Sequence, residues 1–284
     1  MFFEKVAVLG VGLIGASFAL AMKKRRLCGS IAGFGRNEAN LLKARERGVI
    51  DGFDLDPARV SADADLVLLA MHAGAFPETA ERITAALKEG ALVTDVGSIK
   101  GDLVYRMEAT LSPRASFVGA HPVAGGERSG IDTADPDLFE GRRCIITPTD
   151  KTNGKALEAI VSLWRSLGAA VVIMSPEGHD RVLGAVSHLP HIIAYEMVNA
   201  ADEIDGSSLV YSGTGFRDVT RIASSSPELW RDVCMLNRDN LIPFLDLFIR
   251  RLEAVKGYLA RGDAEPLEEE FRKAKILRDG LGQD

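Results

Sequence analysis

Cysteine is scarce in this chain. Cys28, Cys144 and Cys234 are the only three in 284 residues, they stand far apart, and they form no CxxC pair or Cys/His spacing. That excludes a disulfide framework and the common structural zinc sites, so no metal is expected, and it fits a reduced, cytoplasmic interior in which the three are small apolar residues. No apolar run approaches the length of a membrane helix, and charge arrives at Glu4 and Lys5, too early for an export signal. Excess positive charge is also missing: the net charge is -6 and the longest basic block is KKRR at 23–26. Attraction to phosphate backbones or anionic membranes is therefore not expected. The KKRR block suits the last turn of a first helix, where cations complement the dipole.

What is present is a core-forming composition, 46% hydrophobic with 26% charged, in a chain long enough for two domains. From residue 5 to about 173, short apolar runs alternate with helical stretches, as in a parallel sheet with crossover helices. The expected strands are KVAVLG (5–10), IAGFG (31–35), ADLVLLAM (64–71), ALVTDVG (91–97), SFVGAH (116–121), RCIITP (143–148) and AAVVIM (169–174). Helical patterns between them close on Gly48 and Gly90. After MSPEGHD the strands cease: Ser175 to Asp180 reads as a helix start, and Leu241, Phe244, Leu245, Phe248, Leu252 and Val255 recur at helical spacing. A last charged helix falls around 266–278, and SSS at 224–226 before Pro227 reads as a turn. The expected architecture is thus α/β: a Rossmann-like, mostly parallel sheet domain at 1–174, followed by an all-α domain at 175–284. The apolar surplus of the helical half suggests a homodimer formed through it.

The best-formed motif is VAVLGVGLIGASFALAM, a strand, then Gly10, Gly12 and Gly15 in G-x-G-x-x-G spacing with Leu13 and Ile14 between, then a helix. The first glycine permits a tight turn, the second a close approach to pyrophosphate, the third helix-on-strand packing. The helix N-terminus would face the phosphates. NAD+ or NADP+ is the implied cofactor. At the end of the second strand, where NAD-binding chains commonly place an acid, this chain has Gly35 and Arg36, which tilts the expectation toward NADP+.

Reacting groups in open sheets lie at the carboxyl ends of strands, and two stretches qualify: DVGSIKGD at 95–102 and AHPVAGGE at 120–127. Ser98 could orient substrate or simply cap a helix. His121 ends a strand before Pro122, with Gly125 and Gly126 allowing close chain approach, and an imidazole there suits proton transfer near neutral pH.

These residues carry a resemblance. GVGLIGAS, TDVGSIKG, GAHPVAGGERSG, AVSHLPHIIAYEMV and GFRDVTRIASSSPELWRDV together resemble the prephenate dehydrogenase family, including its arogenate-using relatives, from Lys5 to about Leu277. The resemblance implies oxidative decarboxylation of prephenate to 4-hydroxyphenylpyruvate in tyrosine biosynthesis, or of arogenate to tyrosine. It implies His121 as the group that deprotonates the C4 hydroxyl, Ser98 as its orienting partner, His191 and His188 as pocket residues and Arg221 as the carboxylate anchor. On residues alone, the two histidines read as a packed helix-face pair and Arg221 as a surface ion-pair partner. Glu127, Arg217 and Asp218 flank the motifs without an assigned role. The chain departs from the family at AMHAGAF, where His72 is unexpected, and at AGGE, where Gly126 replaces a frequent threonine. With no further stretch before residue 5 or after 284, any tyrosine feedback is expected to act within the two domains. HPVAGG also resembles the turn of β-hydroxyacid dehydrogenases, but those rely on a lysine that DRVLGAVSHLPHIIAYEMVNA lacks. A non-catalytic nicotinamide sensor would need only the glycine turn.

Overall fold

The computed structural model describes residues 2–124 and 130–281. Gly125, Gly126 and Glu127 lie outside the described residues. By their internal contacts the residues fall into two compact units, Met1–Asn237 and Arg238–Asp284.

In the first unit the described residues form one eight-stranded sheet: β1 (Phe3–Leu9), β2 (Cys28–Phe34), β3 (Gly52–Asp54), β4 (Leu66–Leu69), β5 (Ala91–Asp95), β6 (Ala115–Pro122), β7 (Arg143–Thr147) and β8 (Ala170–Ile173). Their order is β3-β2-β1-β4-β5-β6-β7-β8, so the chain reverses its direction of growth between β1 and β4. All pairings are parallel except β6 with β7, which run antiparallel through Gly119–Thr147 and Pro122–Cys144. Several strand ends shift by one to three residues from the sequence reading, β2 starting at Cys28 instead of Ile31, and three differences have a plain cause. The three-residue β3 carries too little apolar pattern to stand out. β6 continues through Pro122, where a proline can still occupy the last rung of a ladder. β4 stops at Leu69, short of Met71, because the chain turns there into the short helical segment Ala73–Ala75.

Both faces of the sheet are covered over its central strands, which explains why those read as continuous apolar runs, while the edge strand β8 keeps Val172 and Ile173 exposed. Val6 and Val8 of β1 and Leu66 and Leu68 of β4 pack into one core with Phe18, Phe139 and Trp164. Ala7, Leu9, Val67 and Leu69 face the other way, onto Phe76, Ile83, Val104 and Met107. The helix Leu13–Lys24 carries Lys23 and Lys24 in its last turn, as the dipole favours. Gly48 sits at φ 70° just past the helix Glu38–Glu46. Gly90 does not play that part: its helix ends at Thr84, and Gly90 instead leads into β5.

After β8, Ser175 caps the helix Pro176–Leu183 by accepting from the Gly178 N–H at 3.0 Å. That helix runs through a π turn, Gly184–His188, into the helix Leu189–Asp205, and Pro227–Leu236 follows with Ser226 as its cap. In the second unit, Arg238–Arg261 and Ala264–Asp279 form a helix pair linked by Arg251 to Glu270. No helix of the described residues is long and apolar enough to cross a membrane.

Candidate active site

The glycine turn sits where β1 and β4 part. Gly10 has φ 111°, and a Cβ there would lie 2.4 Å from the Ala70 carbonyl oxygen, so only glycine fits. A Cβ on Gly15 would lie 2.0 Å from the Gly10 carbonyl oxygen, so the helix can dock on the strand only through glycine. Gly12 faces open space, with nothing within 4 Å of a Cβ built there, and its helix has neither a side-chain cap nor an acid in its first turn. Backbone N–H groups of Leu13 and Ile14 thus open toward room that suits an anion, which is the fit a dinucleotide pyrophosphate requires. At the end of β2, Arg36 is exposed and meets no hydrogen-bond or ion-pair partner among the described residues. At the end of β4, His72 turns a buried Nδ1 that has no partner among the described residues. The same turn approaches the helix Pro227–Leu236: a Cβ on Gly74 would lie 2.9 Å from the Asp232 carboxylate.

The turn after β5 is built around a buried ion pair. Lys100 Nζ lies 2.5 Å from Asp95 Oδ2, both side chains 1% exposed, and also donates to the carbonyls of Gly97 and Ile99. Asp95 in turn accepts from the Gly97 and Ala120 N–H groups. A charged pair out of water is tolerated when its remaining hydrogen-bonding capacity is filled in this way. The outcome is a fixed loop that presents half-buried Ser98. Ser98 is not a helix cap: the N-cap position of Gly101–Leu111 falls on Lys100.

His121, on β6, is buried, and its Nδ1 lies 2.8 Å from His179 Nε2, with the rings edge to face. His179 Nδ1 lies 2.7 Å from Asp180 Oδ1, which also accepts the Lys100 N–H at 2.8 Å. The helix Pro176–Leu183 brings Asp180 this close because Gly101 has no side chain: a Cβ there would lie 2.6 Å from Asp180 Oδ2. Burial pushes the His121 pKa well below its ordinary 6.5, with the charges of His179, Lys100 and His188 adding to it. His179 is also lowered by burial, partly offset by its hydrogen bond to Asp180.

The π turn carries His188 to full burial, where its Nδ1 accepts from Asn237 Nδ2 at 2.9 Å. The same Asn237 amide donates to the Asp180 carbonyl. Burial holds the His188 pKa down to about 4, against weaker raising influences of the Asp180 carboxylate and the Ser98 backbone, and its Nε2 finds no partner at hydrogen-bonding geometry among the described residues. π turns recur at functional sites, where they re-aim a side chain. One helical turn on, His191 donates from Nδ1 to the Ser187 carbonyl at 2.8 Å and stacks on Trp230, with ring centroids 3.5 Å apart. Burial lowers its pKa, and the Arg221 guanidinium is near enough to lower it further. Arg221 itself is exposed at the start of the short turn Arg221–Ser224.

The fold therefore gathers the residues singled out from the sequence. His188 lies near both His121 and the Ser98 backbone, Trp230 stands edge-on to His188 at 6.0 Å and stacks on His191, and Arg221 lies near His191. Arg217 bonds only its neighbour Ser212 among the contacts described, and Asp218 is exposed. Sequence reasoning missed Asp95, Lys100, His179, Asp180, Trp230 and Asn237. Asp95 and Lys100 stood inside DVGSIKGD, and His179 and Asp180 inside MSPEGHD; the available signal was a charge flanking each motif. Among the described residues no group of three or more His, Cys, Asp or Glu side chains could hold a metal ion.

A pyrophosphate-binding turn at the switch point of a parallel sheet, with a buried imidazole at neighbouring strand ends, defines the class: a dinucleotide-dependent α/β dehydrogenase. Two family models match the chain, prephenate dehydrogenase, nucleotide-binding domain, over residues 18–173 and prephenate dehydrogenase, dimerization domain, over residues 175–273. The chain belongs to the prephenate dehydrogenase family. It is 36% identical to prephenate dehydrogenase of Bacillus subtilis over 98% of this chain and 76% of that one. It is 34% identical to cyclohexadienyl dehydrogenase of Zymomonas mobilis over 99% of this chain and 97% of that one. A crystal structure of prephenate dehydrogenase from A. aeolicus in complex with hydroxyphenyl propionate and NAD+ superposes with a TM-score of 0.93 at 37% identity, covering 99% of each chain.

Proposed function

We propose that this chain catalyses the NAD(P)-dependent oxidative decarboxylation of prephenate to 4-hydroxyphenylpyruvate and carbon dioxide, in tyrosine biosynthesis. The observation that carries the reading is His121, a buried imidazole held low in pKa at the strand ends beside the Ser98 loop. Prephenate is a cyclohexadiene with a hydroxyl at C4, a ring carboxylate and a pyruvyl side chain. The bound nicotinamide supplies the hydride acceptor. As the C4 hydride departs, the hydroxyl O–H bond breaks and its proton passes to His121 Nε2, leaving a C4 carbonyl. The ring carboxylate then leaves as carbon dioxide, its bonding electrons complete the aromatic ring, and the phenolic oxygen recovers a proton. Ser98 orients the hydroxyl, Arg221 anchors a carboxylate through its planar fork, and His191 and His188 line the pocket.

Gly10, Gly12, Leu13, Ile14 and Gly15 hold the pyrophosphate, and Arg36 takes a 2'-phosphate, so NADP+ is used at least as readily as NAD+. Residues 1–174 serve the nucleotide and supply Ser98 and His121, while 175–284 complete the substrate pocket and pair with a second copy of the chain, in the cytoplasm. Steady-state rates with prephenate and arogenate, each with NAD+ and NADP+, test the assignment. Turnover of prephenate supports it, preference for arogenate moves it to the alternative substrate, and no turnover with either leaves a nicotinamide-binding protein of another kind.

A further inference from the structure

We propose that His179 and Asp180 are positioning residues that lock His121 into the tautomer with hydrogen on Nδ1, so that its Nε2 stays bare toward the substrate. The inference rests on the reading of His121 as the proton acceptor. Asp180 Oδ1 is an acceptor already receiving the Lys100 N–H, and a carboxylate has no hydrogen to give, so the 2.7 Å contact requires the His179 hydrogen to sit on Nδ1. In neutral His179 the other nitrogen, Nε2, is then an acceptor. The 2.8 Å contact from His179 Nε2 to His121 Nδ1 can be a hydrogen bond only if His121 carries its hydrogen on Nδ1.

The neutral state of His179 is supported by its full burial and by the nearby Lys100 ammonium, which together outweigh Asp180 and Asp95. Every joint of the chain is held from outside it. Lys100 fixes Asp180 and is itself fixed by Asp95, while Asn237 ties the Asp180 carbonyl to His188. The strand β6, the turn after β5 and the helix Pro176–Leu183 thus meet at one line of hydrogen bonds. Without it, an imidazole can put its hydrogen on either nitrogen, and the fraction with hydrogen on Nε2 cannot accept the hydroxyl proton.

The test has two arms. A long-range 1H–15N correlation spectrum of the unaltered protein reads the tautomer directly: His121 with hydrogen on Nδ1 supports the proposal, and hydrogen on Nε2 overturns it. In the second arm, His179→Gln offers an amide oxygen to His121 and an amide N–H to Asp180, preserving the direction of the chain, whereas His179→Ala breaks it. Turnover should fall about 100-fold in His179→Ala but no more than about tenfold in His179→Gln, with KM for substrate nearly unchanged in both. Equal activity of His179→Ala and the unaltered protein, or a His179→Gln variant as poor as His179→Ala, would overturn it. Should a variant fail to fold, the spectrum decides. If His121→Asn leaves turnover intact, the reading of the reaction fails, and the spectrum still judges the tautomer separately.

Discussion

At the scale of single residues, the site separates side chains that move protons from those that hold charge. His121→Asn keeps a polar side chain of similar reach but removes the base. Steady-state kinetics should show turnover lowered about 100-fold or more, with substrate KM little changed. Arg221→Ala should do the reverse, raising KM for the substrate with a smaller effect on turnover, because an exposed guanidinium acts on binding and not on the reacting carbon. Arg36→Ala bears on the cofactor alone: KM for NADP+ should rise with that for NAD+ unchanged, since its guanidinium is held by no described neighbour and can be given to a 2'-phosphate. Unchanged NADP+ use in this variant would remove the cofactor tilt.

At the scale of elements, a helical segment pushed against strand ends has buried several imidazoles. The sign of the resulting pH dependence follows from the direction of their shifts. Unfolded, His188 titrates near 6.5; folded, at about 4. The unfolded chain therefore binds the extra proton first as pH falls. The stability this residue contributes is whole above pH 6.5 and is lost on the way down to about 4, to the extent of about 3 kcal/mol. His121 and His179, both held low by burial, act in the same direction. Thermal melts should show the midpoint falling between about pH 7.5 and about pH 5, with a shallower fall in His188→Gln. A midpoint independent of pH over that window would contradict the neutral burial of this cluster.

At the scale of the whole molecule, the helix pair Arg238–Arg261 and Ala264–Asp279 leaves Leu247, Ile249, Leu252, Leu259, Phe271 and Ile276 at least half exposed. Singly exposed apolar side chains are ordinary, but a concentration on one helix pair marks an interface. Light scattering should therefore give twice the 30.6 kDa chain mass, and a monomer at working concentrations would refute the pairing. Much of the remaining architecture was legible in the residues. Seven of the strands follow from short apolar runs, which in β1, β4, β5, β6 and β7 are buried over most of their length, and the glycine turn follows from spacings that only close backbone approach demands. His188, His191 and Arg221 entered through the resemblance to the family, while local pattern itself placed only Ser98 and His121 among the candidates. It could not show that the turn after β5 is pinned by Asp95 and Lys100, nor that His179, 58 residues from His121, completes its hydrogen bonding. Periodicity and turn chemistry act between neighbours in the chain and can be read along it. The protonation and aim of a buried side chain depend on groups that only folding brings within 3 Å, and those were decided by how the helical segment packs on the strand ends.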